Sequence, residues 1–142
     1  MILYKSAVTI ARTPDVVFPY LVEPPLQATW SDVPMRPLTD GPLGPGSQLE
    51  VTFGMGPLKA KVVLLITAVE PGRRMTWQTS DGKIEWEGEY LLVPSGDATE
   101  LRQDGRLTFK GLWRLIEPLV GGEIKKGEVK ELDKLKAVVE AA

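Results

Sequence analysis

Five strand-length segments follow one another between Gln48 and Phe109 with almost nothing between them, and this spacing constrains the fold more than any other feature of the chain. They run from Gln48 to Phe53, Leu58 to Glu70, Arg74 to Thr79, Ile84 to Val93 and Thr99 to Phe109. Gly54-Met55-Gly56, Pro71-Gly72, Asp81-Gly82 and Pro94-Ser95-Gly96-Asp97 separate them. A parallel crossover needs about a dozen residues or more, whereas turns this short join only antiparallel neighbours. The spacing therefore predicts an antiparallel meander.

What precedes and follows the meander is different in kind. Tyr4 to Ile10 has the residues of a further strand, and Thr13-Pro14-Asp15 is a helix-start signal with Pro at the first helical position. A short helix from Pro14 to about Leu21 is expected, distorted at Pro19 and stopped by Pro24-Pro25, with one more turn over Gln27 to Trp30. From Pro24 to Pro57 the crowding of Pro and Gly excludes a long helix or a central strand, which predicts ordered loop. From Gly111 to Ala142, apolar residues at Leu112, Leu115, Ile116 and Leu119, then Leu132, Leu135 and Val139, recur at the three- and four-residue spacing of an amphipathic helix. Pro118 is expected to kink it, and Gly121, Gly122 and Gly127 to weaken it, so one rod and two halves both stay open.

The implied architecture is α+β: a curved antiparallel sheet wrapped around a long C-terminal helix, as one domain over residues 1–142. That helix is the long amphipathic element able to cover the apolar face of the sheet. Period-two alternation puts Ile84, Trp86, Gly88, Tyr90 and Leu92 on the inner face, against Glu85, Glu87 and Glu89 outside. In the next strand Leu101, Gln103, Gly105, Leu107 and Phe109 point inward, with a bulge expected at Gly105. Met75, Trp77 and Thr79 form the inner set of their strand, and Leu64 and Ile66 are assigned inward in theirs.

Composition narrows the chemistry. The chain contains neither cysteine nor histidine, which removes disulfides, thiolate nucleophiles, imidazole or thiolate metal ligands, and every triad with an imidazole base. Catalysis, if any, falls to carboxylates, Lys, Arg, Tyr or water. With 17 basic and 19 acidic side chains the formal charge is −2, so no positive field exists to hold nucleic acid. No apolar run approaches the roughly 20 residues of a membrane-spanning helix, and no export signal is legible at Met1 to Ser6, so cytoplasmic residence without integral membrane association is expected. No metal and no cofactor are expected, and a homodimer stays open.

Trp30, Trp77, Trp86, Trp113 and Tyr90, with Phe53 and Met55, suit either a ligand pocket or a filled core. Gly88 between Trp86 and Tyr90 suggests unfilled space on the inner face. Glu85, Glu87 and Glu89 are expected to be a solvated row paired with Arg102 and Arg106, not a metal site. Gln103 is the best-placed inward polar side chain, with the Tyr90 hydroxyl and Thr79. Asp32 and Asp40 lie in the Pro-rich loop as candidate bases.

Thr13-Pro14-Asp15-Val16-Val17-Phe18, Trp30, Pro45-Gly46-Ser47, Val69 through Trp77, Ala98-Thr99-Glu100-Leu101 and Leu132 through Lys136 occur in an order and spacing that resembles the START-like, helix-grip superfamily, and within it the polyketide cyclase/dehydrase-like branch (SRPBCC). The resemblance spans nearly the whole chain. It implies an apolar cavity between sheet and helix that takes a lipid-, steroid-, aromatic or polyketide-like molecule, and it carries over no catalytic motif. The expected lining is Trp30, Phe53, Met55, Leu64, Trp77, Trp86, Tyr90, Gln103, Leu115 and Leu119. The expected function is binding of a small hydrophobic or aromatic ligand. A polyketide cyclase or dehydratase using the same cavity, and an interaction module whose cavity is vestigial, are the alternatives.

Overall fold

Three prolines decide how the chain leaves its first strand. In the computed structural model, which describes residues 1–55, 57–79 and 84–142 and only the backbone of residues 53–55 and 58, strand β1 (Ile2–Ile10) is followed by three one-turn helices. These are α1 (Pro14–Val17), α2 (Pro19–Val22) and α3 (Pro24–Gln27), each begun by a proline whose missing N–H costs nothing in a first turn. The expected single helix is thus divided at Pro19, and Pro24 starts a turn where an end was expected. Within the Pro-rich stretch a short edge strand, β2 (Met35–Pro37), pairs with the next strand, so that stretch is not loop throughout. Pro37 sits at its end, where a lost donor is harmless.

The meander follows as β3 (Gln48–Met55), β4 (Leu58–Glu70), β5 (Arg74–Thr79), β6 (Ile84–Ser95) and β7 (Ala98–Phe109). The expected turns at Gly54-Met55-Gly56 and Asp81-Gly82 fall wholly or partly outside the described residues. All neighbours are antiparallel in the order β1-β7-β6-β5-β4-β3-β2, so the first strand closes the sheet against the last. Among the described residues the register shifts once, between Ile66 and Ala68 in β4.

One cross-strand row explains two glycines. Trp77, Gly88, Gly105 and Tyr4 stand opposite one another across β5, β6, β7 and β1. The Trp77 ring lies over Gly88 and the Tyr4 ring over Gly105, so closely that a Cβ at either position would collide with the ring. Gly88 therefore leaves no unfilled space, contrary to expectation; Trp77 occupies it. Gly105 marks no bulge either, since both of its ladders pass through without a shift.

After a 3₁₀ turn (Gly111–Leu115), helix α4 runs unbroken from Glu117 to Ala141. Pro118 lies in its first turn and so starts the helix, where a kink was expected. Its buried residues Val120, Leu132, Leu135 and Val139 pack against the concave side of the sheet, most extensively along β1. Each such side chain contributes roughly 1.5–3 kcal/mol on burial. No helix of the described residues is long and apolar enough to cross a membrane.

On the outer face Glu85, Glu87 and Glu89 are paired with Lys110 at 2.5 Å, Arg106 at 2.6 Å and Arg74 at 3.1 Å. Arg102 pairs with Glu100 on its own strand, not with the Glu row. The acidic row is a solvated surface, with no group of three or more carboxylates placed to hold a metal among the described residues.

Candidate functional site

The concave side of the sheet holds two neighbouring spaces that share lining residues, and the aromatic side chains occupy the inner one. Trp77 meets Trp86 edge-on at 5.6 Å between ring centroids and Tyr90 at 4.9 Å. Trp30 is fully buried and donates from Nε1 to the Tyr20 carbonyl oxygen at 2.9 Å. Trp86 Nε1 donates to the Tyr4 hydroxyl at 2.8 Å, and the Trp86 backbone N–H donates to Thr79 Oγ1 at 3.1 Å. What these rings leave, with Leu64, Ile66, Met75 and Gln103, is a chamber of about 50 Å³, room for a water molecule or a small polar group.

The larger space lies along the N-terminal half of the helix. A cavity of about 360 Å³ opens between the first half of α4, the 3₁₀ turn, and the ends of β6 and β7. Ile84, Phe109, Trp113, Ile116, Val120 and Ile124 give it an apolar wall, and Asp32, Glu123 and Lys130 lie at its margin. Glu128, Glu131 and Val33 line both spaces, so the two carboxyl groups stand where the large cavity meets the aromatic chamber.

Their positions follow from helix geometry. Glu128 and Glu131 precede Leu132 and Leu135 by one turn, and so project from the face that buries those leucines. Gln103, 2% exposed on β7, donates from Nε2 to Glu128 Oε2 at 2.7 Å. Its Oε1 has no partner among the described residues, nor has Trp77 Nε1.

Electrostatics distinguish the pair. Burial, reinforced by the neighbouring Glu131 charge, pushes the Glu128 carboxyl up to about 7, although the Gln103 amide favours its charged form. Burial also raises Glu131, while the backbone amides of Asp32 and Val33 and the Ser31 hydroxyl hold its charge in place. Burial and the two glutamates drive Tyr90 well above its ordinary range, so its hydroxyl stays a donor and is no base. Asp32 is pulled below the carboxylate range by Lys134, whose Nζ donates to it at 2.6 Å.

Of the residues expected from the sequence, Trp30, Leu64, Trp77, Trp86, Tyr90 and Gln103 come together around the inner chamber. Leu119 is 73% exposed and lines the rim of the large cavity, whereas Leu115 is 74% exposed and lines neither space. Leu115 falls on the 3₁₀ turn, where the three- and four-residue helical spacing that suggested an inward position no longer holds. The side chains of Phe53 and Met55 lie outside the described residues. Asp40 is exposed and lines neither space. The sequence reading missed Glu128 and Glu131; their spacing from Leu132 and Leu135 was the available signal.

Comparison with known proteins agrees with this architecture. A family model described as polyketide cyclase / dehydrase and lipid transport matches residues 1–140. No curated protein sequence matches the chain. Among solved structures, TTHA0849 from Thermus thermophilus superposes with a TM-score of 0.81 at 14% identity, covering 98% of this chain and 97% of that one. DynU16, a protein in the dynemicin biosynthetic locus, gives 0.73 at 19% identity, covering 99% of this chain and 48% of that one. Ara h 8.0201 gives 0.67 at 15% identity, covering 99% and 98%. At these identities the structures share the helix-grip fold. The family match spans nearly every residue that builds the sheet, the covering helix and the cavity between them: the chain belongs to the polyketide cyclase/dehydrase and lipid transport family.

Proposed function

We propose that the protein binds one small apolar or aromatic molecule in the cavity between α4 and the sheet. One observation carries this reading: an apolar space of about 360 Å³, bounded by Trp113, Ile116, Ile124 and Phe109, ends on the carboxyls of Glu128 and Glu131 and not on further hydrocarbon. An apolar wall with a few convergent polar groups is the usual form of a small-molecule site, the wall supplying affinity and the polar end orientation. The family to which the chain belongs, described by cyclase, dehydrase and lipid-transport activities, agrees with such a ligand. Uptake of the neutral fluorophore N-phenyl-1-naphthylamine tests it. One molecule per chain, displaced by introducing a ring at the cavity wall through Gly127→Phe, is the expected result. No saturable uptake would refute it.

Glu128 favours a second reading, in which the same cavity holds an enolisable carbonyl compound and performs cyclase or dehydratase chemistry. A carboxyl near 7 is poised to take a proton from carbon at neutral pH, while the Tyr90 hydroxyl and the Gln103 amide are donors suited to a carbonyl oxygen. Deuterium exchange into the methyl group of 2-acetylnaphthalene, followed by NMR, reports this directly. Exchange above the buffer rate that is lost in Glu128→Gln supports it; exchange at the buffer rate excludes it for that carbonyl class.

A further inference from the structure

The ionisable groups of the cavity are unbalanced in sign. Asp32, Glu123, Glu128 and Glu131 line it against a single lysine, Lys130, among the described lining residues. Lys130 is exposed, and a long cationic side chain there keeps its ammonium in water. Asp32 already has Lys134. Facing Glu128 are Tyr4, Tyr90 and Gln103 from the sheet and Glu131 on its own helix, and Asp32, from the loop after α3, faces Glu131. None of these is a cation. The unpaired Oε1 of Gln103, on a side chain 2% exposed and lining the chamber into which Glu128 projects, is a further acceptor without a donor.

We propose, building on the ligand-binding reading above, that the cavity selects apolar molecules bearing a basic amine, whose ammonium docks against Glu128, Glu131 and the Gln103 carbonyl oxygen while the hydrocarbon lies along Trp113, Ile116 and Ile124. An ammonium brings three donors and cancels carboxylate charge in a desolvated place. A hydroxyl brings one donor and cancels none. A carboxylate head adds a further negative charge to a site that holds two, and like-charge juxtaposition of this kind rejects a ligand.

Calorimetric titration of the full chain at pH 8 with 2-naphthylmethylamine, 2-naphthylmethanol and 2-naphthoate tests the selection. The amine is expected to bind about tenfold or more tighter than the alcohol, with naphthoate weakest, and Glu128→Gln to bring the amine-to-alcohol affinity ratio close to one. Should that variant not fold, the wild type gives a second readout. At pH 7, amine binding is expected to release roughly half a proton, seen as a dependence on the ionisation heat of the buffer, and alcohol binding none. Alcohol binding as tight as amine binding overturns the selection and leaves the cavity reading standing. So does naphthoate as the tightest ligand, an amine preference that persists in Glu128→Gln, or amine binding without proton release. Failure of all three compounds to bind overturns both readings.

Discussion

Gln103 Nε2 and Glu128 Oε2 stand 2.7 Å apart, a hydrogen bond that ties the middle of β7 to the middle of the covering helix. Residues 25 positions apart in sequence are thereby fixed face to face. The amide favours the charged carboxyl. Gln103→Leu is therefore expected to raise the Glu128 carboxyl further. It should lower stability by about 1–2 kcal/mol at pH 8, where a buried charge loses its donor, and by less at pH 5, where the carboxyl is neutral. Urea denaturation at the two pH values measures the difference.

Glu128 also sets a direction for stability against pH. Its folded carboxyl titrates at about 7, above the ordinary 4.5, so the folded state holds this proton more tightly than the unfolded chain. The contribution is complete below the unfolded value and is lost as pH rises from 4.5 through 7, on the order of 3 kcal/mol at most, with Glu131 adding in the same direction. Asp32, Glu117 and Glu140 are lowered by their partners and act oppositely, losing their small, solvent-screened contributions as pH falls below the ordinary carboxylate range. Thermal melts are expected to peak near pH 5 and to decline toward pH 8. Glu128→Gln should flatten that decline; an unchanged slope would show that Glu128 is not its source.

The aromatic row predicts two intolerant glycines. A Cβ at Gly88 collides with the Trp77 ring and one at Gly105 with the Tyr4 ring, and both rings are buried. Gly88→Ala and Gly105→Ala are expected to destabilise by roughly 1–3 kcal/mol each, the cost typical of overpacking. Trp77→Phe in the Gly88→Ala background should recover part of the loss by shortening the ring, which denaturation of the single and double variants reads out.

The helical glycines are expected to behave oppositely. Added Cβ atoms at Gly122 and Gly127 meet nothing within 4 Å, and neither residue has a left-handed backbone. Gly122→Ala should raise stability by about 1 kcal/mol, since Ala loses less conformational entropy in a helix interior. Gly127→Ala should do the same while lining the large cavity with one extra methyl group. A shift in midpoint without a change in denaturant slope checks both variants.

The antiparallel order of the meander, the inward faces of β6 and β7 and the covering role of the last helix were legible in the sequence, because each rests on a period or on a connection length; the edge strand β2 was not, since three residues among prolines carry no period. The inner aromatic set was legible for the same reason: alternation in β5 and β6 places Trp77, Trp86 and Tyr90 on one face. Alternation says which way a ring points but not whether it fills the space in front of it. Gly88 therefore suggested room where Trp77, on the neighbouring strand, had already closed it. Pro118 likewise reads as a kink or a start according to where the helix begins, and the 3₁₀ turn before Glu117 moved that beginning.

What the sequence by itself determined was a curved sheet with an apolar concave face and one amphipathic helix to cover it, since the periods of two and near 3.6 are local properties of the chain. Only the tertiary structure decided where the covering is incomplete. The rings of β5, β6 and β1 fill one end of the concavity, and α4 stands away from the ends of β6 and β7 at the other. It also decided that Glu128 of the buried helix face meets Gln103 at that boundary, with Glu131 beside it. Cavity shape and the titration of a desolvated carboxyl both depend on distances between elements remote in sequence, and no local pattern encodes those distances.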